Sequence, residues 1–256
     1  MKLICAGMTH VGCSRDHNED DFYLSEGGEA LCVVADGMGG HNSGEVASAM
    51  AIRAIVDYYR ETIPEDDEAY EKPVNGEAVD LNQHRLKEAL QKANQAVFEA
   101  SESEEAFDGM GTTIVSGYFA EEGVYLAHIG DSRAYRYRNG SLEQLTADHS
   151  LANEYVQMGV LAQEDVEFFA YKNVITRACG LADDVEVDVQ FNDFAQDDLF
   201  ILCSDGLTDM VSDAEIQALI EEYSDLDVLC EELVAAANDN GGNDNITLIL
   251  AQVIDS

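Results

Sequence analysis

LCVVADGMGGHNSG, residues 31 to 44, decides how the rest of this chain is read. Five apolar residues, Leu31 to Ala35, deliver a single carboxylate, Asp36, into a run of glycines. A short apolar run bounded by a turn signal reads as a buried β-strand that stops at Asp-Gly, with an acid at its end where a ligand can reach it. Gly37, Gly39 and Gly40 let the backbone approach that ligand closely. What Asp36 does therefore depends on which groups meet it.

The same local arrangement recurs three times. Asp20 sits in NEDD directly before Phe22 and Tyr23, Asp205 ends LFILCSD and precedes a glycine, and Asp244 lies in GGNDN just ahead of ITLIL. If these strands are neighbours, the four carboxylates converge at one rim of the sheets. Acids gathered in a low-dielectric rim repel one another by several kcal/mol, and hard divalent cations remove that penalty. An oxygen-only donor set without His or Cys selects Mg²⁺ or Mn²⁺ over zinc. Two such ions, roughly 3.5–4 Å apart, activate a bridging water and clamp a phosphoryl group. Arg15, one of few basic residues, lies just ahead of Asp20, where its guanidinium fork can grip two phosphate oxygens. The alternative for Arg15 is a surface salt bridge in an acid-rich chain.

Composition excludes several classes. The chain carries 13 basic and 52 acidic residues, a formal charge of −39, which repels nucleic acid and anionic membranes. It repels phosphorylated substrates at long range too, so a phosphate site must carry its own positive charge, as bound metal would supply. Solvation alone also accounts for much of this acidity. With 256 residues, two prolines, no linker and no repeat, the chain reads as one catalytic domain over 1–256. No stretch is apolar for the ~18 residues a membrane span needs, and the apolar run of MKLICAGMTHVGCSRD is too short for a signal peptide. The 6 scattered cysteines form no CxxC pair and read as free thiols in a reducing cytoplasm. Nothing in the pattern calls for more than a monomer.

Along the chain, residues 2–9 read as a strand, and Phe22–Leu24 with Leu31–Ala35 as a hairpin around the glycines at 27 and 28. Ser43 is the expected N-cap of a helix whose face is Val46, Met50, Ala54 and Tyr58. Residues 61–75 read as a solvent loop. Leu86, Leu90, Ala93, Val97 and Ala100 mark a second helix. A β-rich block follows over 112–119, 124–129 and 134–137, in a meander. A helix is expected over 151–158, and 159–172 has no clean period. Strands over 185–191 and 199–203 lead to helices with faces Ile216, Leu219, Ile220, Tyr223 and Leu226, Leu229, Cys230, Leu233, capped by Ser212 and Ser224. A strand from 245 to 253 closes the chain. This order predicts an α+β fold, antiparallel sheets covered by helices.

These motifs as a set resemble the bacterial branch of the metal-dependent protein phosphatases, the type 2C serine/threonine phosphatases. The matching pieces are Arg15 with NED (18–20), ADGMGGHNSGEVAS (35–48), GMGTT (109–113), IGDSRAYR (129–136), LTADHS (145–150), ITRACG (175–180), SDGLTD (204–209) and DNIT (244–247), in the family's order and across essentially the whole chain. The resemblance implies an αββα sandwich of two antiparallel sheets flanked by helices. It also implies a two-metal centre in which Asp36 bridges both ions, the Gly37 carbonyl serves one, and Asp205 and Asp244 serve the other. Asp20, with Glu19 beside it, matches the pair that binds metal directly or through water. Asp131 matches the acid that helps hold a third, weaker ion, and Arg15 the phosphate-binding arginine. A variable flap is implied at about 148–172.

The chain departs from many eukaryotic members at Met38, where they carry a histidine general acid. A thioether donates no proton, so the expected donor is a metal-bound water near Asp131. His41 is the weaker candidate and His149 is expected to be structural. Cys203 lacks the phosphate-cradling loop of a thiol nucleophile. The reading that follows is hydrolysis of phosphoserine and phosphothreonine on proteins by a metal-bridging hydroxide, opposing a cognate serine/threonine kinase. The alternative is an inactive relative that binds a phosphoprotein or senses metal.

Overall fold

In the structure, a computed structural model, residues 2–25, 30–39, 43–62 and 80–255 are described. Two antiparallel sheets form the centre. The first runs β1 (Lys2–His10), β11 (Ile246–Asp255), β10 (Leu199–Cys203), β7 (Arg133–Arg138), β8 (Ser141–Gln144). The second runs β2 (Asp20–Leu24), β3 (Ala30–Met38), β5 (Ile114–Phe119), β6 (Val124–Ile129), β9 (Asp188–Asn192), with β4 (Gly111–Thr112) paired to the far end of β3. Helices α1 (Ser43–Glu61) and α2 (Leu81–Ser103) cover the second sheet; α5 (Asp213–Glu222) and α6 (Leu226–Asp239) cover the first. The short helices α3 (Leu151–Gln157) and α4 (Asp205–Thr208) lie in the connections. This is the αββα sandwich that the family resemblance implies.

Side-chain alternation along the strands builds the layers. On β3, Leu31, Val33 and Ala35 pack toward α1 and α2, whereas Cys32 and Val34 pack between the sheets. On β10, Ile201 and Cys203 meet α5 and α6, whereas Phe200 and Leu202 face inward. Phe119 and Phe200 meet edge-on across the seam, centroids 5.4 Å apart. Because both faces are covered, β5, β6 and β10 are buried along their whole length; β10 is an unbroken apolar run, and the polar Ser116 of β5 and His128 of β6 are buried with their strands.

Several local expectations change. β3 does not stop at Asp36 but continues to Met38, because Gly37 and Met38 pair with Thr112 and Gly111 of β4. The buried stripe of α1 is Ala47, Ala51, Ile55 and Tyr59; Val46, Met50, Ala54 and Tyr58 form its flank. The two small alanines let the helix settle closely on β3. Helix α6 is capped by Asp225, which accepts from the backbone of Asp227 and Val228, rather than by Ser224. Ser212 caps α5 as expected, in a reciprocal capping box with Glu215. Ser43 is the first residue of α1 rather than its cap. The strand expected at 185 begins at Asp188, and β8 and α4 have no counterpart in the periodicity. The expected turn at 27–28, most of the 61–75 loop and His41 lie outside the described residues.

Candidate metal centre

The alternation that builds the core also builds the site. Asp36 has the parity of Cys32 and Val34, so it continues the inter-sheet face of β3 to the rim. Asp20 stands directly opposite Asp36 in the β2–β3 ladder, with the parity of Phe22 and Leu24. From the other sheet, Ser204 and Thr247 extend the inward faces of β10 and β11, and Ser204 Oγ donates to Asp20 Oδ2 at 2.8 Å. Asp205 follows at the first turn of α4, and Asp244 lies two residues before β11. Four acids from four separate segments thus reach one rim, where Asp36 feels the charges of Asp20, Asp205, Asp131 and Asp244.

Close backbone packing holds these elements together. A Cβ on Gly206 would lie 1.8 Å from the Asn245 carbonyl oxygen, so glycine there lets Asp205 and Asp244 sit on abutting segments. A Cβ on Gly37 would lie 2.2 Å from the Gly44 carbonyl and 2.5 Å from that of Glu19. Buried Asn245 stitches the N-terminal segment to β11: its Oδ1 accepts from Glu19 N–H at 2.8 Å and its Nδ2 donates to the Val11 and His17 carbonyls at 2.9 and 3.0 Å. Gly37 N–H and Ser48 Oγ both donate to the Glu19 carbonyl. Thr113 links β3 to the turn carrying Asp131, donating N–H to the Asp36 carbonyl and sharing a 2.6 Å hydrogen bond with Ser132.

Electrostatically the rim is under-compensated. Oδ1 of Asp20, Asp131 and Asp205 are each buried without a hydrogen-bond partner. Burial raises the pKa of Asp20 to about 6, with Asp244 adding to it against hydrogen bonds from Thr247 and Ser204. Asp131 is likewise raised to about 6 by burial and by Asp148. Asp36 and Asp205 are pushed well above the ordinary carboxylate range by burial and then by the neighbouring acids. Native structures rarely leave such atoms unsatisfied unless an ion completes them. The orphaned oxygens and the all-oxygen donor set fit hard divalent cations.

Arg15, 47% exposed at its side chain, donates Nη2 to Asp244 Oδ2 at 2.6 Å, which places the guanidinium at the edge of the rim. Met38 is half-buried beside the site. His149 is buried, and burial followed by the fields of His128 and Arg177 lowers its pKa to about 4, so it is neutral near pH 7 and no proton donor there. Cys203 is fully buried on β10 and burial pushes its thiol to about 12, which excludes a thiolate nucleophile. A cavity of about 440 Å³ opens between the rim and residues 148–173, with Asp131, Asp148, Asn173, Asp205 and Asp209 in its lining.

Sequence reasoning missed Asp209. It lies one helical turn beyond Asp205, bears on the charges of both Asp205 and Asp131, and accepts from Asn173 Nδ2 at 2.9 Å with Lys172 Nζ at 3.7 Å. The i, i+4 spacing within SDGLTD was the available signal. Ser204, Thr247 and Asn245 were missed as well, since only the folded seam gives these ordinary polar residues a partner.

Comparison with known proteins agrees with this geometry. The protein phosphatase 2C family profile matches residues 7–251. Serine/threonine phosphatase stp of Listeria monocytogenes serotype 4b is 37% identical over 246 residues, covering 95% of this chain and 93% of that protein. The crystal structure of the Mycobacterium tuberculosis serine/threonine phosphatase PstP/Ppp superposes with a TM-score of 0.86 at 31% identity, over 99% of both chains. That of the catalytic domain of PstP in complex with 2 manganese ions gives 0.82 at 34% identity, again over 99% of both. A sandwich with an unsatisfied acidic rim and relatives matched along nearly their whole length leave one assignment: the chain belongs to the protein phosphatase 2C family and is a bacterial-type serine/threonine protein phosphatase.

Proposed function

We propose that the whole chain, 1–256, is one catalytic domain that hydrolyses phosphoserine and phosphothreonine on proteins at a two-cation centre of Mn²⁺ or Mg²⁺, with Asp131 and Asp209 bordering a weaker third site. Asp36 would bridge the pair, Asp205 and Asp244 would hold one ion, and the Gly37 carbonyl with Asp20 would serve the other. When bound, the ions supply the attacking hydroxide and offset the charge on the phosphoryl oxygens. The chain itself contributes the rest. Arg15 orients the phosphate through its fork, and the inter-sheet seam fixes the acids before substrate arrives. The cavity beside residues 148–173 accommodates the residues flanking the phosphorylated side chain. With neutral His149 and Met38 unable to protonate the leaving alkoxide, solvent at the Asp131 side is the proton source.

The observation that carries this reading is the set of three buried carboxylate oxygens without partners at one rim. The chain would act as a monomer against a cognate serine/threonine kinase. Its cysteines are all free thiols, most of them buried, which supports a reducing, cytoplasmic setting; among the described residues no helix is long and apolar enough to cross a membrane. The test is turnover of a phosphothreonine peptide with Mn²⁺, together with calorimetric Mn²⁺ titration of the wild type, Asp36→Asn and Asp205→Asn. The expected result is stoichiometric binding and turnover, both lost in the variants. Stoichiometric Mn²⁺ binding by folded wild type without hydrolysis would refute catalysis.

A further inference from the structure

Asp131 owes its place to the turn Gly130–Ser132, and that turn is gripped from outside the acidic rim. Gly130 adopts φ +103°, where side chains are disfavoured, and a Cβ there would lie 2.7 Å from Thr113. One residue holds both sides of its backbone: His149 N–H donates to the Gly130 carbonyl at 3.0 Å, and Gly130 N–H donates to His149 Nδ1 at 3.0 Å. Accepting at Nδ1 fixes the neutral tautomer with its proton on Nε2. The ring lies flat on His128, centroids 4.5 Å apart at 16°, and His128 Nε2 is anchored on the Ala147 carbonyl at 2.9 Å.

The outer edge of His149 meets the segment that leaves the flap. Thr176 N–H donates to the His149 carbonyl at 2.8 Å, and Arg177 Nη1 stands 2.9 Å from Nε2. Asp188 stands beside both, its Oδ1 accepting from Arg177 Nη1 at 2.6 Å and its Oδ2 3.5 Å from His149 Nε2. The donor atoms of His128, His149 and Asp188 fall within 4.8 Å of one another, a spacing that suits a metal ion. Here Nδ1 of His149 is already committed to Gly130 and a guanidinium is bound to Asp188, so the cluster works as a hydrogen-bonded clamp instead.

We propose that His149 is a positioning residue: Nδ1 holds the Gly130 turn that aims Asp131 at the rim, and its outer edge couples that turn to the segment following the flap, at Thr176 and Arg177. The inference rests on the proposed role of Asp131 in cation binding. It is separable from a generic packing role because asparagine and glutamine each replace one ring nitrogen. His149→Asn keeps an acceptor near Nδ1, whereas His149→Gln keeps a polar group only near Nε2.

The test is calorimetric titration with Mn²⁺ alone of wild type, His149→Asn, His149→Gln, Asp131→Asn and the double variant His149→Gln with Asp131→Asn. Urea denaturation in EDTA monitors folding. Removing a group that orients a ligand-bearing segment weakens metal binding by roughly tenfold or more. The expected pattern is such a loss in the Asp131-dependent component for His149→Gln, binding within about threefold of wild type for His149→Asn, and no added loss in the double variant. Equal losses for Asn and Gln, or a Gln loss that persists undiminished without Asp131, would overturn the clamp. Wild-type affinity in His149→Gln beside a clear Asp131→Asn loss would overturn this inference alone. Unchanged binding in Asp131→Asn would overturn the role of Asp131 and the inference with it.

Discussion

Replacing Asp20 by asparagine should make the metal-free protein more stable while removing its metal. Asp20 is 7% exposed, faces Asp36 across the β2–β3 ladder, and has one carboxylate oxygen with no partner. Its pKa rises from 3.8 to about 6. At ~1.4 kcal/mol per unit, holding it ionised in the folded state costs about 3 kcal/mol. Burial of the carboxylate is the main cause of that cost, and the charge of Asp244 adds to it against the hydrogen bonds from Thr247, Ser204 and Asp36. Because the folded pKa lies above the unfolded one, the native state binds the extra proton, and wild-type stability falls as pH rises from about 4 to about 6. The full cost applies above that window. Asparagine removes the charge, retains an acceptor for Ser204 Oγ and presents an amide to Asp36. In EDTA near pH 8, Asp20→Asn should therefore gain about 2–3 kcal/mol, or roughly 5–10 °C in melting temperature, and the gain should vanish near pH 4. Mn²⁺ at ~100-fold excess over Kd adds about 2.7 kcal/mol to a protein that binds it, which cancels the gain, and ~1,000-fold excess adds about 4.1 kcal/mol, which reverses the order. Calorimetric melting across pH, with EDTA and with Mn²⁺, reads all of this. A variant that melts at or below wild type in EDTA near pH 8, or gains equally at every pH, would refute the reasoning.

Three further perturbations probe other links. Arg15→Ala should lower kcat/KM on p-nitrophenyl phosphate by roughly 10- to 100-fold, the worth of a charge-assisted phosphate contact, without weakening Mn²⁺ binding; steady-state kinetics and calorimetry check the two halves. Gly206→Ala forces a Cβ to within 1.8 Å of the Asn245 carbonyl, so α4 must lift off β11. The expected result is a loss of at least ~3 kcal/mol in urea unfolding together with the Mn²⁺ site. Ser212→Ala removes a capping box remote from the rim and should cost about 1 kcal/mol, roughly 2–4 °C, with unchanged kcat.

The site acids were legible because each is attached to an apolar run, and such runs announce buried strands. Parity along those runs already determines that Asp36 falls on the face of Val34 and Asp20 on that of Phe22. That Ser204 reaches Asp20 was not legible, since it depends on how two sheets stack, and no periodicity within a strand encodes the register between layers. The same limit explains α1. Spacing of four fits both Val46–Tyr58 and Ala47–Tyr59, and only the contact with β3 and α2 selects the second. Asp225 displaced Ser224 as the cap of α6 because both are good caps one residue apart, and the choice follows from where β-like backbone ends. The contacts of His149 were not legible, because its partners, Gly130 and Arg177, become neighbours only when the sandwich closes.

The global charge and the local site pull in opposite directions, and cations bound at the rim would resolve the conflict. A formal charge of −39 opposes the approach of any phosphorylated segment. Basic groups near the rim do little to reverse that field, because among the described residues Arg15 is matched with Asp244, Lys172 with Asp209 and Arg133 with Asp148. The unmatched charge at the rim is negative, lodged on buried oxygens that water does not reach. A phosphate dianion cannot settle against those oxygens unless the sign of the site changes first. Hard cations bound there would make that change, so in the proposed scheme the same carboxylates that destabilise the metal-free fold are the ones that make the phosphoryl group welcome. The seam of Asn245, Ser204, Thr247 and Thr113 then has a defined purpose, which is to hold mutually repelling acids at fixed spacing until the ions arrive.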